Sequence, residues 1–248
     1  MPAEHTGSRY MCGRSVPKIS EICKLQSVFV VKQRLEAVEE RIHAACQRSG
    51  RKREEITLIA VTKVFPASTV LEAYEAGLRE FGENYVQEFA GKAPEIGILK
   101  DARYHLIGHL QSNKAKIAAE LFHVIQTVDS AKLARRLDAM GRPLDIMIEV
   151  KLSAEESKAG APEETVADIA GAVRQSAHLR LLGLMTMPPW SEDAEVSRPY
   201  FRSLSELAAR CGVTHLSMGM SHDFDVAIEE GATHIRVGTA LFGKRRKP

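Results

Sequence analysis

Residues 57–63 read TLIAVTK, a short apolar run rich in β-branched side chains that stops on a single lysine. Apolar character at consecutive positions suits a strand covered on both faces, and parallel sheets are built from such strands. The run therefore predicts a buried parallel strand. Parallel neighbours need crossover connections, usually helical, so apolar runs should alternate with helical patterns on either side of it. Seven further strand candidates fall at residues 80–82, 104–107, 124–127, 145–150, 181–185, 215–218 and 234–237. Helical spacing occupies residues 68–76, 86–96, 130–140, 163–176, 194–210 and 223–230. Eight strands alternating with helices favour closure, so the expected fold class is α/β, a single (β/α)8 TIM-type barrel. An open doubly wound sheet is the alternative, but the turn at residues 63–68 has no G-x-G-x-x-G phosphate loop to support it.

Working outward, residues 28–47 place Val31, Leu35, Val38, Ile42 and Cys46 on one helical stripe with charges opposite, which predicts an extra N-terminal helix before the barrel. Residues 1–26 mix Gly, Pro, Ser and charge without periodicity. They read as a loosely ordered extension to a barrel at residues 27–248, and Met11 is a candidate start.

A length of 248 residues with 44% hydrophobic content matches one barrel of this type. With 34 Lys and Arg against 32 Asp and Glu, the net charge of +2 gives no reason to expect nucleic acid or a membrane surface as partner. The expected partner is small. Cys12, Cys23, Cys46 and Cys211 have no metal-ligand or disulfide spacing and read as reduced thiols. No run approaches the ~20 apolar residues of a membrane helix, and residues 1–26 lack the apolar core of a secretory signal, so the expected location is cytoplasmic.

In a barrel, reactive groups collect at the carboxyl ends of the strands. Lys63 ends the first run and, at strand periodicity, shares a side with Ile59 and Val61, toward the interior. Burial there disfavours the ammonium, and a neutral amine attacks an aldehyde to form a Schiff base. A lysine just past a strand can equally snorkel to solvent.

Gly238 and Thr239 precede a short terminal helical segment, and Ser221, following Gly219, reads as an N-cap for the helix after it. Two neighbouring strands would thus offer two phosphate-binding helix starts, across the mouth from Lys63. Arg236 shares a face with His234 and Gly238, and its plain reading is an ion pair with Glu149 or Glu83. Asn84 and Asn113 suit caps or turns. His105 and His109 straddle a strand end and a turn with no acidic third ligand, so no metal is expected. The basic residues 244–247 read as a solvated end.

The stretches AVTKVFPA, FGENYVQE, HLIGHLQSNK and SMGMSHDFDVAIEEGATHIRVGTALFG, with ESKAG and GLMTM, carry a resemblance that spans residues 28–243. The chain resembles the pyridoxal 5′-phosphate (PLP) homeostasis proteins, PLP-binding barrels related to the N-terminal domain of alanine racemase. The resemblance implies that Lys63 holds PLP as a Schiff base and that Ser221, Gly238 and Thr239 hold its phosphate. It implies further that Arg236 faces the pyridine nitrogen, replacing the ion-pair reading, and that Asn84 and Ser217 line the site. The implied role is control of the intracellular PLP and vitamin B6 pool, with apo PLP-dependent enzymes as possible recipients and a monomer or weak dimer as the assembly.

Most PLP enzymes keep the pyridine nitrogen protonated with a carboxylate, whereas a guanidinium only donates. An amino-acid racemase of the alanine racemase type remains the alternative, with Tyr85 or His105 as the second proton group. Related racemases draw that group from a further domain, which this sequence, ending five residues after Gly243, is not expected to supply. An aldolase-like use of Lys63 without PLP is a third reading.

Overall fold

A computed structural model describes residues 19–153, 155 and 159–243. Eight strands carry the barrel: β1 (Thr57–Val61), β2 (Glu80–Glu83), β3 (Arg103–Leu106), β4 (Val124–Val128), β5 (Leu144–Glu149), β6 (Leu179–Met185), β7 (His215–Met220) and β8 (His234–Val237). Each pairs in parallel with the next, and β8 returns to β1 through Ile59 opposite Arg236, so the sheet closes. The chain is a (β/α)8 barrel.

Helix α1 (Ile19–Ser49) precedes the barrel, and α2 (Ala67–Glu75), α3 (Val86–Ile96), α4 (Ala115–Leu121) and α5 (Ala131–Asp138) cross over between the first five strands. The circuit continues with α6 (Val166–Arg174), α7 (Arg198–Cys211) and α8 (Phe224–Glu229), and α9 (Thr239–Phe242) follows β8. Helix α1 begins at Ile19, earlier than its apolar stripe predicts, so residues 19–26 are helical and not part of a loose extension. Val31, Val38, Ile42 and Cys46 are buried as the stripe requires. Helix α1 lies against the last two helices: Arg34 donates to the Leu241 carbonyl, and Arg41 to the Ser221 carbonyl and the Asp225 carboxylate.

Strand alternation separates two buried layers. Leu58, Ala60, Phe81, Leu106, Ile125, Ile146, Leu184, Leu216, Ile235 and Val237 join the apolar core between strands and helices. Ile59, Val61, Val124, Met147 and Met185 are buried outside that cluster and fill the barrel interior. His105, Gln126, Glu149, Ser217, His234 and Arg236, at alternating positions of otherwise apolar strands, are buried with them. A barrel lumen this polar needs hydrogen-bond partners for every group in it.

Cys46 and Cys211 are free thiols. Among the described residues, no helix is long and apolar enough to cross a membrane. Met11, Cys12, residues 156–158 of ESKAG and the basic residues 244–247 lie outside the described residues.

Candidate functional site at the mouth of the barrel

Lys63 lies two residues past β1 in a turn and is half-buried. The residues on both sides of it are held. Thr62 is fully buried, with its N–H on the Gly82 carbonyl at 3.0 Å and its hydroxyl on Glu83 Oε1 at 2.8 Å. Val64 has φ of 66°, a conformation costly for a β-branched residue, and its N–H donates to Glu88 Oε1 at 2.6 Å. Two residues on, Phe65 packs against Phe242 of α9 with ring centroids 5.5 Å apart. The lysine turn therefore touches the end of the barrel circuit.

At that end, the Ser221 hydroxyl accepts the N–H groups of Gly238 at 3.2 Å and Ala240 at 3.3 Å. Ser221 thus serves α9 and not, as its position in the sequence suggests, the helix that follows it, α8. Gly219, with φ of 87°, gives its missing side-chain space to α8: a Cβ there would lie 2.5 Å from that of Ala227. The two expected phosphate sites merge into one cradle made by Ser221, Gly238 and the start of α9, where Thr239 is exposed. It is not across the mouth from Lys63. Because β8 pairs with β1, Gly238 lies against Val61, with a Cβ built there 3.4 Å from the Val61 carbonyl oxygen.

Arg236 is buried in the lumen and donates to Ser217 Oγ at 2.6 Å and to the Thr186 carbonyl at 2.9 Å, not to Glu83 or Glu149. Burial lowers its guanidinium to about 10, with Asp223 and Glu149 opposing, so it stays charged at neutral pH. Since Arg236 can only donate, Ser217 must pass its own proton to Gln126 Oε1, at 2.7 Å. Gln126 Nε2 then donates to His105 Nδ1 at 2.9 Å, and His105 Nε2 to Glu80 at 2.6 Å. A directed relay runs through the barrel from a guanidinium to a carboxylate, and the ends fix the orientation of every link. Ser217 accordingly supports Arg236 from beneath. His105 has both ring nitrogens engaged, which removes it as a ready proton donor at the mouth. Replacing Gln126 by Leu strands buried groups on Ser217 and His105, and a loss of roughly 2 kcal/mol is expected in denaturant unfolding.

Asn84 follows β2, and its Oδ1 is buried with no hydrogen-bond partner. Gly108 makes room for it: a Cβ at Gly108 would lie 2.2 Å from the Asn84 carbonyl oxygen. Glu149, at the end of β5, has a buried and unpartnered Oε2, and desolvation pushes its carboxyl up to about 7 against the pull of Arg236. His234 is driven the other way, to about 3, by burial and by His105 and His215. His109 Nδ1 lies 3.7 Å from Asp129. Among the described residues, no group of three or more His, Cys, Asp or Glu could hold a metal ion.

The fold is a (β/α)8 barrel of the alanine racemase N-terminal type, with a lysine turn after its first strand, an adjoining hydroxyl and N–H cradle, and an arginine buried in its lumen. The family described as Alanine racemase, N-terminal domain matches residues 33–246. A pyridoxal phosphate homeostasis protein of Aquifex aeolicus is 41% identical over 224 residues, covering 86% of this chain and 98% of that protein. That of Escherichia coli K12 is 43% identical over 223 residues, covering 85% and 95%. The structure of PipY of Synechococcus elongatus with PLP bound has a TM-score of 0.76 and 38% identity, and the match covers 86% of this chain and 100% of that one. An alanine racemase of Corynebacterium glutamicum, at 18% identity and a TM-score of 0.60, shares the fold; the match covers 61% of its chain. The chain belongs to the pyridoxal phosphate homeostasis protein family, within the alanine racemase N-terminal domain family.

Proposed function

We propose that this chain binds PLP through Lys63 and carries or buffers it, maintaining the PLP pool. The observation that supports this most is the placement of the lysine turn and the Ser221–Gly238 cradle on adjoining strands, packed through Phe65 and Phe242. The polar groups suit the cofactor: N–H groups and a hydroxyl for a phosphate dianion, a guanidinium for an unprotonated ring nitrogen, and the orphaned Asn84 Oδ1 as an acceptor for a donor on the cofactor.

When bound, PLP would supply an aldehyde that condenses reversibly with an amine and a ring that withdraws electrons. The residues of the chain do the rest. Gly238 and Ala240 would turn their N–H groups from Ser221 Oγ to the phosphate, with Thr239 alongside. Arg236, held by Ser217 and the Thr186 carbonyl, would donate to the ring nitrogen and give it no proton, which would limit electron withdrawal without forbidding turnover. Neither candidate for a second proton group stands out. The His105 nitrogens are spent on Glu80 and Gln126, and Tyr85 is an exposed residue at the start of α3.

Replacing Arg236 by Met should weaken both binding and stability. The change leaves Ser217 Oγ and the Thr186 carbonyl without their donor and takes a counter-charge from Glu149 and Asp223, so apo stability should fall by roughly 2 kcal/mol in denaturant unfolding. PLP affinity should fall about thirtyfold, ~2 kcal/mol, measured by titration of the visible absorbance.

The role itself is tested by following reactivation of an apo PLP enzyme by the PLP-loaded protein against free PLP at equal concentration. Faster or more complete reactivation, or protection of PLP from a competing amine before delivery, is expected. Delivery no better than free PLP, together with amino-acid-dependent α-proton exchange into deuterated solvent, would favour the racemase reading.

A further inference from the structure

Behind the lysine turn lies a buried charge cluster that the binding site does not use. Lys92 of α3 is 8% exposed, and its ammonium lies 3.0 Å from Glu83 Oε1, 2.6 Å from Glu88 Oε1 and 3.0 Å from the carbonyl of Thr62. Glu83 Oε1 also accepts the Thr62 hydroxyl, and Glu88 Oε1 also accepts the Val64 N–H. One ammonium and two carboxylates therefore hold the backbone immediately before and immediately after Lys63.

We propose that Glu88 and Lys92 are positioning residues for Lys63, which keep Val64 in its left-handed conformation and so aim the amine into the barrel mouth. The inference rests on the reading of Lys63 as the PLP-binding residue. A β-branched side chain at φ of 66° relaxes readily to negative φ unless its surroundings over-determine it. Val64 is 57% exposed, so side-chain packing supplies little of that restraint, and the N–H to Glu88 supplies it instead. Lys92 fixes Glu88 in turn and keeps the buried Glu83, whose carboxyl desolvation pushes up, paired as acceptor for Thr62. Relaxation at Val64 turns the chain about its N–Cα bond and redirects Lys63 relative to α2. The cluster thus converts binding energy in α3 into a prepared lysine, and its loss lowers the fraction of molecules competent to bind.

Four proteins test this: wild type, Glu88→Ala, Val64→Gly, and the double variant. Each is titrated with PLP through the visible band of the lysine adduct, and each apo form is melted. Glu88→Ala should bind PLP about tenfold more weakly, ~1.4 kcal/mol, with an apo melting temperature close to wild type, because loss of the hydrogen bond is offset by release of strain. Val64→Gly should bind as wild type, and the double variant should recover most of the loss, since glycine takes positive φ without the penalty. Wild-type affinity in Glu88→Ala, or a loss of affinity that only tracks a fall in apo melting temperature and is not recovered in the double variant, overturns the proposal. If wild type forms no visible band, the reading of Lys63 falls and this inference with it; a normal wild-type band with an unaltered Glu88→Ala sinks this inference alone.

Discussion

Lys63→Ala should lower PLP affinity about a thousandfold, ~4 kcal/mol, and abolish the visible band, while the fold and apo stability stay close to wild type. The size follows from the loss of a covalent bond and of the effective concentration it gives to the phosphate contacts. What remains is a cradle of two N–H groups and a hydroxyl beside Gly238, able to hold a phosphate weakly. Stability is spared because Lys63 is only half-buried and lies beyond the hydrogen-bonded part of β1. An alanine variant that kept both the band and the affinity would place the reactive amine elsewhere. Lys92 is an unpromising substitute, because its ammonium is held by two carboxylates and a carbonyl.

Glu149→Gln should change the pH dependence of stability between pH 5 and pH 8. Burial raises the Glu149 carboxyl from an ordinary 4.5 to about 7 in the folded protein. Between those values the folded state binds the extra proton, so stability falls as pH rises through this window, and the whole penalty is present above about 7. At ~1.36 kcal/mol per pKa unit the penalty is about 3 kcal/mol. Glutamine carries no such charge, so the variant should be more stable than wild type at pH 8, with an advantage that vanishes toward pH 4. His234, lowered to about 3, contributes the opposite slope: the unfolded state takes up its proton as pH falls below about 6.5, and stability is lost there. That slope is common to both proteins and cancels from the difference. Denaturant unfolding at pH 5 and pH 8 measures it, and an equal difference at the two values would mean that Glu149 titrates normally.

The strands were legible because parallel strands buried on both faces read as short runs rich in apolar residues between helical patterns, and all eight stand within two residues of where those runs place them. Helix α4 was harder to read. Its buried positions are Ala115, Ala118 and Ala119, so its apolar face is made of small residues that carry little periodic signal. The apolar stripe of α1 is clear only from Val28 onward, whereas the helix begins at Ile19.

Within the site, position in sequence located Lys63, Arg236 and Gly238 but not their relations. Ser221 reads as a cap for the segment that follows it, and only closure of the barrel shows that its hydroxyl meets N–H groups from residues 238 and 240. The relay through Gln126 does leave a signal in the sequence. Gln126, His105, Ser217 and Arg236 each interrupt an apolar strand on the lumen side of its alternation, and four such interruptions imply a shared network. Glu88 and Lys92 had the opposite difficulty. An i,i+4 pair on a helix ordinarily means a solvated face, and only the buried Glu83 beneath it and the turn at Val64 beside it give the pair a different role.

Which amine meets the cofactor decides how the barrel mouth works. Incubation with PLP, reduction with borohydride and mapping of the modified peptide should find the added mass on Lys63 alone, at close to one per chain, with Lys92 unmodified. Modification spread over surface lysines, or concentrated on any lysine other than Lys63, would contradict binding through Lys63.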